Sequence, residues 1–415
     1  MQRRNFLVST AAATLAAAAA QKPKTILLRT AWQRRNIGDV CFTPSMLSAI
    51  EEYMPGTRVI CWLASNHDDV NAMIRRAHLK AELLNAQFGA KGQEMDPALE
   101  KAFGEADLLL FNSGPIYSYG LHETYSWDNS MPNALFAMYA KERGVPYGMY
   151  GQSYDRFAWP SPVLFRHVLG GADFVYTRDT NSLKYLQGLN VKPKLMDLGP
   201  DIAFHFQLRN DAPAHEFLRA KGLEKGKFLV TMVHYSTMDR PGVKDFGASH
   251  LEKHRAVLQR WVKETGMPVL VVAEDEREVE LGKQWLIDPM PSDIQKKMLL
   301  KDNAFWLPDE ALSLYLQAHS LFTPEPHSMI FALANGIPCI HLYDFAYGRK
   351  FQMFNDFGIG DWNFDLRTAP AAPMGDALMA IYQDRPAALK KVAALNQRVK
   401  AKMTTCFANI KRSLK

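Results

Sequence analysis

His327 and Ser328 stand at a polar corner between two apolar runs, in the order Thr323-Pro324-Glu325-Pro326-His327-Ser328-Met329-Ile330. The run before the corner, Ser320 to Thr323, reads as a buried strand. The run after it reads as an apolar helix that stops at Gly336, followed by a second strand from Pro338 to Leu342. Such a unit presents His327 and Ser328 at a helix N-terminus, where unpaired N–H groups and the positive end of the helix dipole gather. That setting suits a phosphate or a carboxylate. A histidine there can bind an anion or move a proton; taken alone, it reads more readily as a polar residue that starts a helix. Glu325, two places earlier, adds a carboxylate that could act as a base for a hydroxyl.

Other corners carry groups of matching chemistry. Asn36-Ile37-Gly38-Asp39 follows an early strand; Gly38 permits close backbone approach to a ligand. Asn36 is a candidate contact there, and Asp39 either caps the next helix or orients a hydroxyl. Gly114, in Ser113-Gly114-Pro115, and Gln152 and Ser153, in Gly151-Gln152-Ser153, are candidate substrate contacts at two further strand ends. Arg178 directly follows a strand, where a guanidinium can fork a carboxylate or phosphate. It could instead pair with its neighbour Asp179. Arg349-Lys350 offers two more cations, and His234 ends another apolar run.

The elements that must hold these corners alternate along the chain. Strand candidates run Lys24 to Arg29, Arg58 to Leu63, Asp107 to Asn112, Pro146 to Tyr150 and Phe174 to Tyr176. After a Gly/Lys-rich break at Lys221 to Lys227 come Phe228 to His234, Pro268 to Ala273 and the pair around His327. Helical patterns lie between them, one opening at Pro308 with Asp309 as its expected cap, and a basic helix closes the chain from Ala387. Alternation of this kind predicts parallel sheets with helices on both faces, and ligands there bind beyond the carboxyl ends of the strands. The fold expected is α/β, two Rossmann-like domains facing a cleft. The boundaries expected are residues 21–220 and 221–385, with a C-terminal helix over 386–415.

Residues 1–20 read as an export signal of the twin-arginine type: Arg3-Arg4 before Phe6-Leu7, then an alanine-rich stretch ending Ala18-Ala19-Ala20. The expectation is a periplasmic or envelope location, with no transmembrane helix. The chain carries a net charge of +6; residues 1–20 hold two arginines and no acids, so their removal leaves +4. That is too mild for nucleic acid and fits local attraction of small anions. The four cysteines match no zinc pattern and no disulfide framework. No complete Gly-x-Gly-x-x-Gly, His-Glu-x-x-His, Gly-x-Ser-x-Gly or Gly-Lys-Ser/Thr occurs, so no cofactor and no metal is expected.

Taken in order, these corners resemble the polysaccharide pyruvyl transferase family. The likeness runs through Asn36-Ile37-Gly38-Asp39, Asn112-Ser113-Gly114-Pro115 and Thr177-Arg178-Asp179-Thr180-Asn181-Ser182-Leu183. It continues through Pro200-Asp201-Ile202-Ala203-Phe204, and His327 with Ala332, Gly336 and Pro338, to Arg349-Lys350 and Gly358 to Trp362. The resemblance implies two Rossmann-like domains of the glycosyltransferase-B type. It also implies transfer of pyruvate from phosphoenolpyruvate, or another small anionic donor, to two hydroxyls of a glycan acceptor. By it, Arg178 clamps the donor, His327 moves a proton or touches phosphate, and Arg349 or Lys350 neutralises the leaving phosphate. One position departs: the family's arginine two places before the histidine is Glu325 here. Two rivals are weighed. A nucleotide-sugar glycosyltransferase would use His234, Glu274 and Asp275 for base and ribose. A catalytically silent glycan-binding protein would stack sugars on Tyr117, Tyr119, Trp127 or Trp159.

Overall fold

The computed structural model describes residues 22–30, 36–78, 80–89, 92–114, 116–117, 127–234, 244–302, 306–344 and 350–414, with no side-chain description for 127–130 and 244–246. The expected export signal, Pro115, Tyr119 and Arg349 lie outside these residues, as does the side chain of Trp127.

Among the described residues, thirteen strands form two all-parallel sheets. The first holds β1 (Thr25–Arg29), β2 (Arg58–Trp62), β3 (Glu82–Leu84), β4 (Leu108–Phe111), β5 (Tyr147–Gln152), β6 (Phe174–Thr177) and β7 (Met196–Leu198), in the order β3-β2-β1-β4-β5-β6-β7. The second holds β8 (Leu229–Thr231), β9 (Val269–Val271), β10 (Met298–Leu300), β11 (Ser320–Thr323), β12 (Cys339–Tyr343) and β13 (Asn363–Asp365), in the order β10-β9-β8-β11-β12-β13. Each order reverses beside its first strand, so each sheet has the doubly wound topology of a Rossmann-like unit.

Burial explains why the strands read as continuous apolar runs. Ile26 and Leu28 of β1 enter one core and Leu27 the opposite one; Leu108 and Leu110 of β4 likewise oppose Leu109 and Phe111. A parallel sheet covered by helices on both faces needs apolar residues at every position. The core behind Ile26 and Leu28 continues without a break through the Ile37–Tyr53 helix into the second sheet.

The closing helix, Arg385–Arg412, begins in the second half with Asp384 capping Ala387 N (3.0 Å) and ends against the first. Its buried residues Ala388, Val392, Leu395, Val399, Met403 and Phe407 recur every three or four positions, one face of a helix. Phe407 stacks on Tyr53 at 5.1 Å and meets Tyr150 at 5.3 Å, and Lys402 pairs with Asp197 at 2.7 Å. The helix thereby straps the two halves together. Cys41, Cys61, Cys339 and Cys406 are all buried and unbridged. Among the described residues, no helix is long and apolar enough to cross a membrane.

Asp309 does not cap its helix as expected. Leu307 holds that position, and the Asp309 carboxylate reaches instead to Arg76 of the first half at 3.2 Å.

Replacing Phe407 with alanine removes a buried aromatic from the strap. Denaturant unfolding is expected to show a loss of about 3–5 kcal/mol, against no loss if the helix docks without contributing stability.

Candidate active site

The helix Pro326–Ala334 starts with proline at its first position, where the missing N–H costs nothing. Its extended preceding residue, Glu325, does not cap it. The cap comes from elsewhere. Glu274, just past β9, accepts Ser328 N at 2.7 Å and Ser328 Oγ at 2.8 Å on one carboxylate oxygen, and meets His327 Nδ1 at 2.9 Å with the other. The anion expected at this helix start is therefore the protein's own. Ser328 is committed to Glu274, a correction to its reading as a substrate contact, and Tyr315 Oη closes on its hydroxyl at 3.0 Å.

Burial alone would push the Glu274 carboxyl up; the bonds from His327 and Ser328 outweigh it and hold the group below its ordinary range. An ionised carboxylate fixes the proton of His327 on Nδ1. In the neutral imidazole Nε2 then carries the lone pair. It is buried and has no hydrogen-bond partner among the described residues.

The first half reaches over this dyad. Ile37 N donates to the Glu274 carbonyl at 3.0 Å, and Asn36 forms an isolated antiparallel bridge with Asp275. Asn36 Oδ1 caps its own helix through Gly38 N (2.7 Å) and Asp39 N (3.2 Å), so Asn36, and not Asp39, is the cap. Asp39 lies in the first turn, half-buried. Phe42 meets the His327 ring edge-on at 5.2 Å. A Cβ on Gly38 would lie 2.1 Å from His327 Nδ1. Close approach at Gly38 is thus to the imidazole, not to a ligand as expected.

Arg178 is buried and held by two partners. Nη1 donates to Asp201 at 2.6 Å and Nε to Ser153 Oγ at 2.7 Å. The alternative pairing with Asp179 does not form; Asp179 caps the next helix at Ser182 N and accepts Ser153 Oγ at 2.8 Å. Ser153 therefore orients the guanidinium. It is placed there by a bulge: β5 and β6 slip register between Met149 and Gln152, and Gly151 adopts φ +65° at that point. Gln152 is fully buried and bonded to the Asn112 carbonyl (3.0 Å) and to Tyr154 Oη (3.2 Å), so it braces two corners and is not a substrate contact. Gly114 has φ +118°, which only glycine adopts readily.

Lys350 comes from the second half. Burial and the Arg178 charge lower its pKa, while Glu325, Glu274 and Asp39 oppose the shift. These five groups, from both halves, are within electrostatic reach of one another. The Thr180 N–H and hydroxyl both bond Asp356 at 2.8 Å, which ties the Arg178 corner to the Gln352–Asp356 helix that follows Lys350.

Glu325 is 3% exposed. Among the described residues it does not pair with Arg178; it donates a hydrogen bond to Glu278, whose carboxyl also accepts Glu274 N and Asp275 N at 3.1 Å. Burial, then the neighbouring Glu278 and Glu274 charges, push Glu325 well above the usual carboxylate range, and burial pushes Glu278 up to about 8. The pair retains at least one proton at neutral pH. His234 Nε2 lies 3.6 Å from Glu325.

Sequence reasoning brought His327, Glu325, Arg178, Lys350 and Asp39 to one place. It missed the work of Glu274, Glu278, Asp201 and Asp356. The acidic corner after β9 was the available signal. Tyr117 is fully buried and Trp159 is 78% exposed, away from this cluster.

The family described as polysaccharide pyruvyl transferase matches residues 36–344, three-quarters of the sequence. The chain belongs to that family. No match was found among curated proteins. In fold it is similar to Anabaena HepE, solved with UDP and glucose, at 12% identity over 94% of this chain and 99% of that one, TM-score 0.58. It is also similar to a putative UDP-N-acetylglucosamine 2-epimerase from Listeria monocytogenes (10%, 93% and 97%, 0.56) and to the glycotransferase of kitacinnamycin (13%, 95% and 100%, 0.53). The polysaccharide pyruvyl transferase relative described here thus has the glycosyltransferase-B-like fold, with two parallel sheets, and is a glycan-modifying enzyme.

Gly38→Ala must displace the imidazole or part the two halves. The expected result is a loss of about 1–3 kcal/mol in thermal unfolding, together with loss of ligand-induced stabilisation. A variant as stable as the parent would show that the two elements yield freely.

The raised carboxyls also set a pH dependence. A group that keeps its proton in the folded state, and would lose it near its ordinary value of 4.5 when unfolded, makes stability fall as pH rises above that value. Glu325→Gln should therefore gain stability relative to the parent on going from pH 6 to pH 9. A pH-independent difference would show that Glu325 ionises normally.

Proposed function

We propose that this enzyme transfers pyruvate from phosphoenolpyruvate to two hydroxyls of an envelope or exported glycan, forming a cyclic ketal. The observation that carries this reading is the convergence of Arg178, Lys350 and the open Nε2 of His327 between the two sheets. A donor with a carboxylate and a phosphate needs two cations on one side and a proton-transfer group on the other.

Arg178 is held on two nitrogens, leaving Nη2 as the one that neither Asp201 nor Ser153 uses. A preset guanidinium loses little freedom on gripping an oxyanion. Lys350, whose charge is disfavoured by burial and by the Arg178 charge, gains from an incoming phosphate. His327 Nε2 accepts the proton of the attacking hydroxyl as the C–O bond forms and returns it to the leaving phosphate. In the balanced reaction one hydroxyl proton ends on the methyl carbon and the other on phosphate. Asp39 faces Lys350 from the first half and is the carboxylate best placed to orient a sugar hydroxyl.

The nucleotide-sugar rival finds two of its three expected contacts engaged elsewhere. Glu274 is spent on His327 and Ser328, and Asp275 forms a two-point bridge with Arg277 at 2.7 Å. The Arg3-Arg4 start supports export, which we propose as the route to the envelope.

Labelled phosphoenolpyruvate incubated with the mature protein and a panel of hexose glycosides tests the reading. Transfer of label is expected, with His327→Ala reducing kcat by roughly 10²–10⁴-fold and Arg178→Ala raising KM for the donor. Stabilisation by UDP-sugars and none by phosphoenolpyruvate would overturn it.

A further inference from the structure

We propose that Glu325 is the acid that protonates the methylene carbon of the donor, with Glu278 as the group that holds it ready. This rests on the pyruvyl-transfer reading above.

Two buried polar atoms near the start of one helix have no hydrogen-bond partner among the described residues: His327 Nε2 and Glu325 Oε1, the latter 3.6 Å from His234 Nε2. They are two residues apart in the chain. One belongs to a group that can accept a proton; the other is the free oxygen of a carboxyl that holds its proton on the second oxygen, in the bond to Glu278, and a half-turn of that carboxyl presents it. Pyruvyl transfer needs both. The donor's carbon–carbon double bond takes a proton at its methylene, and the electron deficiency moves to the carbon bearing phosphate. A sugar hydroxyl attacks there and its proton passes to His327. The second hydroxyl then attacks as the C–O bond to phosphate breaks, the phosphate leaving with the electron pair. That phosphate takes the proton held by His327. The second hydroxyl's proton restores Glu325. Two hydroxyl protons enter and two leave, one on carbon and one on phosphate, so no outside acid is consumed.

The surroundings of Glu325 suit this role. Glu278 accepts its hydrogen bond from the Glu278–Gly282 helix, and two backbone N–H groups fix Glu278 in turn. Glu274 adds a negative charge from the corner past β9, His234 lies 3.6 Å away past the end of β8, and Lys350 faces from the second half. A carboxyl among carboxylates and out of water keeps its proton, as an acid that must donate at neutral pH requires. A carboxylate fixed at that place would repel the donor; a neutral carboxyl does not.

The experiment compares the mature wild-type protein, Glu325→Gln, Glu325→Asp and Glu278→Gln, measuring phosphoenolpyruvate binding by calorimetry and label transfer to hexose glycosides from pH 5 to 10. Expected are a kcat at least 100-fold lower in Glu325→Gln, donor affinity within about threefold of wild type, and partial recovery in Glu325→Asp. Removing the Glu278 charge lowers the pKa of Glu325, so the high-pH loss of kcat should begin at lower pH in Glu278→Gln. Glu325→Gln turning over within threefold of wild type, or an unmoved high-pH limb in Glu278→Gln, overturns the inference and leaves the pyruvyl-transfer reading standing. Should Glu325→Gln not fold, the Glu278→Gln profile decides alone. Wild-type protein that neither binds phosphoenolpyruvate nor transfers label overturns both.

Discussion

The Glu274 carboxylate lies where three constraints meet. It caps the Pro326–Ala334 helix, it fixes the tautomer of His327, and through its backbone carbonyl it takes Ile37 N from the other half of the molecule. A buried carboxylate without partners would cost several kcal/mol or take up a proton. Here its three side-chain bonds reverse that tendency and keep it charged. Loss of any one partner therefore weakens more than one contact. Helix start, imidazole and domain clasp are a single electrostatic unit.

Arg178 follows the same logic from the first sheet. Its charge is buried against Asp201, itself capping the turn at Ala203 N (2.9 Å). Breaking a buried pair by removing one member costs about 3–5 kcal/mol, so Asp201 is as necessary to the clamp as the arginine. Ser153 and Asp179 then fix the plane of the guanidinium. Asp356 bonds the adjacent Thr180 from the second half. The two cations approach each other because both halves are tied within a few residues of each of them, at Thr180 and at Asp356.

The core strands were legible because every one is buried on both faces and reads as an apolar run. The strands not foreseen are β3, β7, β10 and β13, and these are the four edges of the two sheets. Each has three residues, and most of their side chains stay partly exposed, so neither length nor hydrophobicity marks them. The site divides in a similar way. Its corners were visible as polar breaks after strands. Which groups meet across those corners was not, because Glu274 and His327 follow β9 and β11, strands far apart in the chain that only the sheet order, with β8 between them, brings near each other. Gly38 shows the limit most clearly. A glycine at a strand end signals close approach, but nothing in its neighbours says whether the approaching atom is a ligand's or an imidazole's.

On paper, glutamate for arginine at position 325 is a change of two charges beside an anionic donor. In place it is a change of one. Enclosed with Glu278 and Glu274, Glu325 is held neutral by burial and by their charges. On the proposed reaction, Arg178 and Lys350 then face the donor without an opposing carboxylate at that position. What the arginine would have added is a third cation; what the carboxyl adds is a proton among the clustered charges. A site can lose one of several phosphate contacts and still bind, because the remaining cations share the load. It cannot protonate a carbon without an acid. The exchange at position 325 is thus compatible with the family's chemistry because the chain keeps the carboxyl dry, crowded and bonded to Glu278.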